Sequence, residues 1–187
     1  DLKILHLSHE GLPDWRVEKS AITATRHGHQ VIFCGKGSNY KTTLFQKIYQ
    51  INWNAKARFG VPLYWKSVKR QLAKVLDETR PDIVHAHNIF SARMISEFKL
   101  PFVYDDHEFW SASSRLLNEM KPKSDVVAKS KTLGHNFLEL ATGTRKKIVN
   151  RYAIKLWARW EKEIVCSAPT ITVSDASSNE MRKLGSS

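Results

Sequence analysis

The chain has 187 residues, enough for one domain with a sizeable core. At 42% hydrophobic and 26% charged it has a globular balance, which argues against a mostly disordered chain. The net charge of +12 favours a phosphate-bearing partner: nucleic acid, an anionic membrane or a nucleotide.

No apolar run approaches the ~20 residues of a membrane span. No secretory leader is visible, and the chain opens on Asp1 rather than Met, so a trimmed start is expected. Leu2 to Ser8 reads as a buried parallel strand. Pro13 to His27 reads as a helix capped by Asp14, with Val17, Ala21 and Ile22 inward and Gly28 as its left-handed stop. Gln30 to Cys34 is a second strand, closed by the loop Gly35-Lys36-Gly37. Together they form a right-handed βαβ unit. Lys47 to Asn52 has strand propensity. Pro62 to Thr79 reads as a helix with Leu63, Val68, Leu72, Val75 and Leu76 inward, ended by Pro81. Ile83 to Ala86 and Phe102 to Asp105 are strands, with a short helix over Ser91 to Phe98 between them. Pro122 and Ser124 mark a loop. Lys131 to Val165 is a long helical stretch with a break expected near Gly143. Its apolar positions Ile148, Tyr152, Leu156, Trp160 and Ile164 step by four. Thr170 to Val173 is a last strand, and Ser174 or Asp175 caps a helix that stops at Gly185. The fold class is α/β: a Rossmann-like, doubly wound, mostly parallel sheet. A chain that stops just after such an element fits an excised domain, so residues 1–187 are read as one.

Three groups of His and carboxylate fall at expected strand ends: His9-Glu10-Gly11, His85-Ala86-His87-Asn88 and Asp105-Asp106-His107-Glu108. Ligands of open α/β sheets bind outside the carboxyl ends of the strands, so the three groups suggest one cleft. His85 and His87 share a strand face. Such a pair can bind zinc given further ligands, but a hydrogen-bonded core histidine and a cleft histidine are the better reading. Three carboxylates around His107 are expected to push its imidazole pKa upward. Gly35-Lys36-Gly37 could bring amides to a phosphate, yet it lacks a complete phosphate-loop pattern. Glu10 and Glu18 stand eight apart by coincidence. Cys34 and Cys166 read as two buried free thiols. The basic, aromatic stretches Trp53 to Lys74 and Arg145 to Lys162 could lie on an anionic membrane. The first is favoured for its apparent excess of aromatic surface.

The segments Lys3-Ile4-Leu5-His6-Leu7-Ser8, Arg80-Pro81-Asp82-Ile83-Val84-His85-Ala86-His87, Leu100-Pro101-Phe102-Val103-Tyr104-Asp105-Asp106-His107-Glu108 and Thr170-Ile171-Thr172-Val173-Ser174 carry a family likeness. In this order they resemble the N-terminal domain of GT-B-fold, family 4 retaining glycosyltransferases. The resemblance implies two Rossmann-like domains, an acceptor-side one corresponding to this chain and a donor-binding C-terminal one that it lacks. It implies a nucleotide-sugar donor, a hydroxyl acceptor, and no metal or other cofactor. His107 maps to a family histidine that touches the donor sugar and the reaction centre.

The resulting expectation is sugar transfer with His107 and Asp106 as catalytic residues, inactive as this domain alone. His9, Glu10, Gly11, His87, Asn88, Glu108 and Ser174 are expected to bind substrate, with Gly11 facing the donor diphosphate. The expected setting is cytoplasmic, peripheral on the membrane, in surface polysaccharide or glycolipid synthesis. The chain's own C-terminal domain and an anionic membrane are the expected partners; nucleic acid is not. Two rivals remain: a GT-B-like nucleotide-sugar epimerase, and a non-catalytic basic module that binds membrane or nucleic acid.

Overall fold

The computed structural model describes residues 1–110, 112–113 and 133–185, with backbone alone for 133–147. Six strands run in the order β3-β2-β1-β4-β5-β6, all parallel: β1 (Lys3–Ser8), β2 (Gln30–Lys36), β3 (Lys47–Ile51), β4 (Ile83–His87), β5 (Phe102–Asp106) and β6 (Thr170–Thr172). The chain leaves β1 in one direction to β2 and β3, then returns past it to β4. The strand order therefore reverses beside β1, where a crevice opens at the carboxyl ends.

Alternation along each strand assigns the two faces. Leu5 and Leu7 of β1, Ile32 and Cys34 of β2, Val84 and Ala86 of β4 and Tyr104 of β5 share one core. That face is covered by α3 (Pro62–Thr79), α4 (Asn88–Ile95), α5 (Leu133–Val165) and α6 (Asp175–Leu184). On the other face, α1 (Trp15–Arg26) packs Val17 and Ala21 against Val31 and Phe33 of β2. Asp14 caps α1 by accepting hydrogen bonds from the amides of Arg16 and Val17, and Gly28 follows it at φ +82°.

Several expectations shift. Ile22 on α1 is exposed. β2 continues through Gly35 and Lys36, which pair with Gln50 and Ile51 of β3 instead of forming a loop. α4 starts directly at Asn88, not Ser91. Leu63 is 69% exposed. The inward stripe of α3 is Trp65, Val68, Leu72, Val75, Leu76 and Thr79. Leu63 sits two residues before Trp65, about 200° round the helix and off that stripe. α5 passes through Gly143 unbroken. Its Ala153, Trp160 and Ile164 are buried on the core, whereas Ile148 and Tyr152 are exposed. Cys34 is buried, with its thiol pushed up to about 12 by burial, whereas Cys166 is exposed. The expected loop at Pro122 and Ser124 lies outside the described residues. A four-residue helix, α2 (Ala55–Arg58), capped by Asn54, precedes α3. Among the described residues, no helix is long and apolar enough to cross a membrane.

Candidate functional site

Register decides which side chains meet. His6 pairs with His85, Ser8 with His87, and His87 with Asp105. Residues paired across a parallel ladder point to the same face. His6, His85, His87 and Asp105 therefore share the face opposite the leucine core, and His107 joins them just beyond β5. The Asp105 carboxylate is the hub. Its Oδ2 lies 3.1 Å from His85 Nε2, 3.2 Å from His107 Nε2 and 3.4 Å from His87 Nδ1. The imidazoles are themselves linked: His87 Nδ1 is 3.0 Å from His107 Nε2, and His87 Nε2 is 3.1 Å from His6 Nδ1.

One proton assignment satisfies nearly all of this. His107 Nε2–H and His85 Nε2–H donate to Asp105, and His87 Nε2–H donates to His6 Nδ1. His6 Nε2 is then left without a partner, and it is indeed buried and unpaired. His107 keeps its Nδ1 lone pair free.

The electrostatics follow from burial and from this hub. Burial alone would raise the Asp105 pKa, but the hydrogen bonds donated by His107 and His85 outweigh it and hold the carboxyl well below the usual carboxylate range. Burial lowers His87 to about 4 in spite of Asp105. Burial, then the neighbouring His87 and His85, lower His6 as well. For His6 and His87 desolvation defeats the carboxylate.

The carboxylates also divide. Only Asp105 reaches the imidazoles. Asp106 is fully buried on the other face, where it accepts a 2.8 Å hydrogen bond from the Tyr104 hydroxyl. Burial raises its pKa to about 6. Glu108 is exposed on the rim.

His87 Nδ1, His107 Nε2 and Asp105 Oδ2 are close enough to hold a metal ion, as is the group His6, His85 and His87. The hydrogen bonds account for the same distances without one.

Among the described residues, two cavities open at the carboxyl ends. The larger, about 350 Å³, is lined by Glu10, Pro13, Asp14, Trp15, Arg16, Asn88, His107, Glu108 and Trp110. Arg16 reaches across from the first turn of α1 and donates to the His107 carbonyl at 2.6 Å. Asn88 holds φ +70° with its side-chain carbonyl buried and unpaired, a backbone outlier at the mouth of the cleft. The smaller, about 110 Å³, is lined by His9, Glu10, Lys36, Trp53, Asn54, Ala55 and Arg58. A third hollow, about 460 Å³, lies around Pro81 and Leu100 at the opposite, amino end of the sheet and holds no histidine or catalytic cluster.

The expected residues distribute accordingly. Glu10, Asn88, His107 and Glu108 line the larger cleft, and His9 lines the smaller. His87 is buried beneath His107. Gly11 packs under the rim: a Cβ there would lie 2.7 Å from the Lys36 carbonyl, so close backbone approach already requires glycine. Ser174 is not brought to either cleft; it caps α6 through the Ser177 amide. Glu18 accepts from the Tyr40 hydroxyl on the exposed side of α1, apart from Glu10.

A model of glycosyltransferase family 4 matches residues 20–187. The chain belongs to that family. Its structural neighbours are GT-B glycosyltransferases. Sucrose-phosphate synthase from Thermosynechococcus elongatus superposes with a TM-score of 0.59 at 11% identity, covering 100% of this chain and 46% of that one. UGT73P12 of Glycyrrhiza uralensis, complexed with glycyrrhetinic acid 3-O-monoglucuronide, gives 0.51 at 12% identity, covering 99% and 47%. This family 4 chain thus spans about half the length of those structures, and at such identities the likeness speaks for the fold alone. No curated protein sequence matches it. The sequence places Asp105 in the cluster without giving it a role, and nothing in it assigns Arg16, Trp53 or Arg58 to a cleft. Asp105 could have been found by pairing the strand alternation of β4 with that of β5.

Proposed function

We propose that this family 4 chain is the acceptor-side half of a retaining glycosyltransferase, moving a sugar from a nucleotide donor to a hydroxyl. The observation that carries the reading is His107: it lines the cleft where the strand order reverses, and Asp105 anchors its Nε2–H. An imidazole fixed in this way offers Nδ1 to a sugar hydroxyl at a preset position. In the step, the bond from the anomeric carbon to the diphosphate breaks, the acceptor oxygen bonds to the same face, and its proton leaves on the diphosphate. The chain contributes position and charge, with no metal. Asn88, Glu10 and Glu108 bind acceptor hydroxyls. The donor is held by a C-terminal domain of the same protein, on the cytoplasmic side of a membrane.

The test uses the enzyme with its donor-binding half. Its product should keep the anomeric configuration of the donor, turnover should survive EDTA, and the 187 residues alone should transfer nothing. His107→Ala should lower turnover by about 10²–10³ with the melting temperature nearly unchanged. An inverted product would overturn the retaining reading and make the Asp105–His107 pair a general base. Full activity of a folded His107→Ala variant would reduce that residue to a structural link.

A further inference from the structure

Five of the seven residues that line the smaller cavity carry side-chain hydrogen-bond donors: His9, Lys36, Trp53, Asn54 and Arg58. Lys36 and Arg58 bring two cations to it, and among the described residues neither side chain has a carboxylate partner. Trp53 lines it with an indole N–H that is buried and unpaired. His9, only 4% exposed, has both ring nitrogens buried without a hydrogen bond. Asn54 spends its carbonyl on the Lys56 amide as the cap of α2, which leaves its amide hydrogens free. The one carboxylate on the rim, Glu10, is 60% exposed and stands 3.6 Å from His9 Nε2.

Unpaired buried donors cost stability. One group satisfies the whole set: a compact oxyanion with several acceptor oxygens. Burial first, then the charge of Arg58, hold the His9 imidazole down at about 3, so the ring offers one N–H as a neutral donor.

We propose that this cavity binds a phosphate group carried by the acceptor, while the acceptor's reacting hydroxyl lies in the larger cleft by His107. The two cavities share Glu10 in their linings and are therefore neighbours, the arrangement a single acceptor bridging them needs. Calling the ligand the acceptor rests on the glycosyltransferase reading, but phosphate binding is measurable without it. The phosphate belongs either to a soluble phosphomonoester or to a lipid headgroup, and the same donors would hold both.

The test is a titration of the ¹⁵N-labelled chain at constant ionic strength. The probes are inorganic phosphate, glycerol 3-phosphate, glycerol as the neutral control, and phosphatidylcholine vesicles with and without phosphatidic acid. The Trp53 indole N–H and the His9 ring are the reporters. Saturable shifts at both with the phosphate probes, none with glycerol, and at least tenfold weaker binding by Arg58→Gln and Lys36→Gln support the proposal. Arg58→Lys should retain part of the affinity, and thermal melts check that each variant is folded. Response to glycerol 3-phosphate assigns a soluble acceptor; response only to phosphatidic acid vesicles assigns a lipid headgroup. If both reporters stay fixed with every probe, or shift equally in folded Arg58→Gln, the phosphate site is overturned. Sugar transfer could still proceed in that case, so the two readings fail separately.

Discussion

Asp105 and Asp106 are adjacent, chemically identical, and opposite in effect on the fold. Asp105 has a depressed pKa, so its contribution is present above the unfolded carboxylate value and is lost only in strong acid. Asp106 has a pKa raised to about 6, so above that pH its charge opposes folding. At pH 7, Asp105→Asn should cost about 1.5–3 kcal/mol, the range of one charge-assisted hydrogen bond. Asp106→Asn keeps an acceptor for the Tyr104 hydroxyl and should leave the melting temperature unchanged or higher. Denaturant unfolding of the two variants reads the contrast, and equal destabilisation would show that the hub does not rest on Asp105. Sequence reading found the cluster yet chose Asp106, because a run of two aspartates at a strand end does not state which one faces the histidines. That depends on the register of β5 against β4, a tertiary quantity that moves every side chain to the other face when it slips by one.

At the scale of elements, strands and helices were legible because their periodicities are strong: Pro62–Thr79 is the observed α3, and all six strands start within a residue of their expected position. Which residues of an amphipathic helix stay exposed was less legible. The Trp53 to Lys74 stretch was favoured for membrane contact on its aromatics, but Trp53 and Trp65 are 6% and 9% exposed and belong to the core. The exposed apolar groups are instead Val61 and Leu63 at the start of α3, and Ile148, Val149 and Tyr152 on α5. Gly60, at φ +67°, brings the α2–α3 junction against Leu156 and Trp160 of α5, so the two stretches are neighbours. Lys66, Arg70, Arg151 and Lys155 are exposed around them. Peripheral docking on an anionic bilayer is therefore proposed through these residues. Leu63→Asp with Tyr152→Asp should abolish co-sedimentation with phosphatidylserine vesicles. Removing single cations should weaken it about fivefold each, at ~1 kcal/mol per charge. Identical sedimentation of parent and double variant would leave both stretches as ordinary solvated surface.

The whole molecule carries a buried histidine row, and the row sets how stability depends on pH. His6, His9 and His87 all have folded pKa values below 6.5, with His87 at about 4 and His9 at about 3. Below 6.5 the unfolded chain binds protons that the folded chain refuses, so their contribution is complete above that pH and is lost as pH falls. Asp106 runs the other way between its unfolded value and about 6, offsetting one of the three. The melting temperature should therefore fall between pH 7 and pH 4.5. A flat or rising profile would mean that the imidazoles are protonated in the native state. The all-parallel order has a consequence for biosynthesis. Ile4 at the start of β1 pairs with Ile83 of β4, across 79 positions of chain. Such distant pairings close slowly. On the ribosome, the β1–α1–β2 unit must wait with one edge of its central strand open until β4 emerges. At 5–20 residues per second that wait is on the order of several seconds. During it the His6 edge, later the most enclosed part of the site, is the part most open to mispairing.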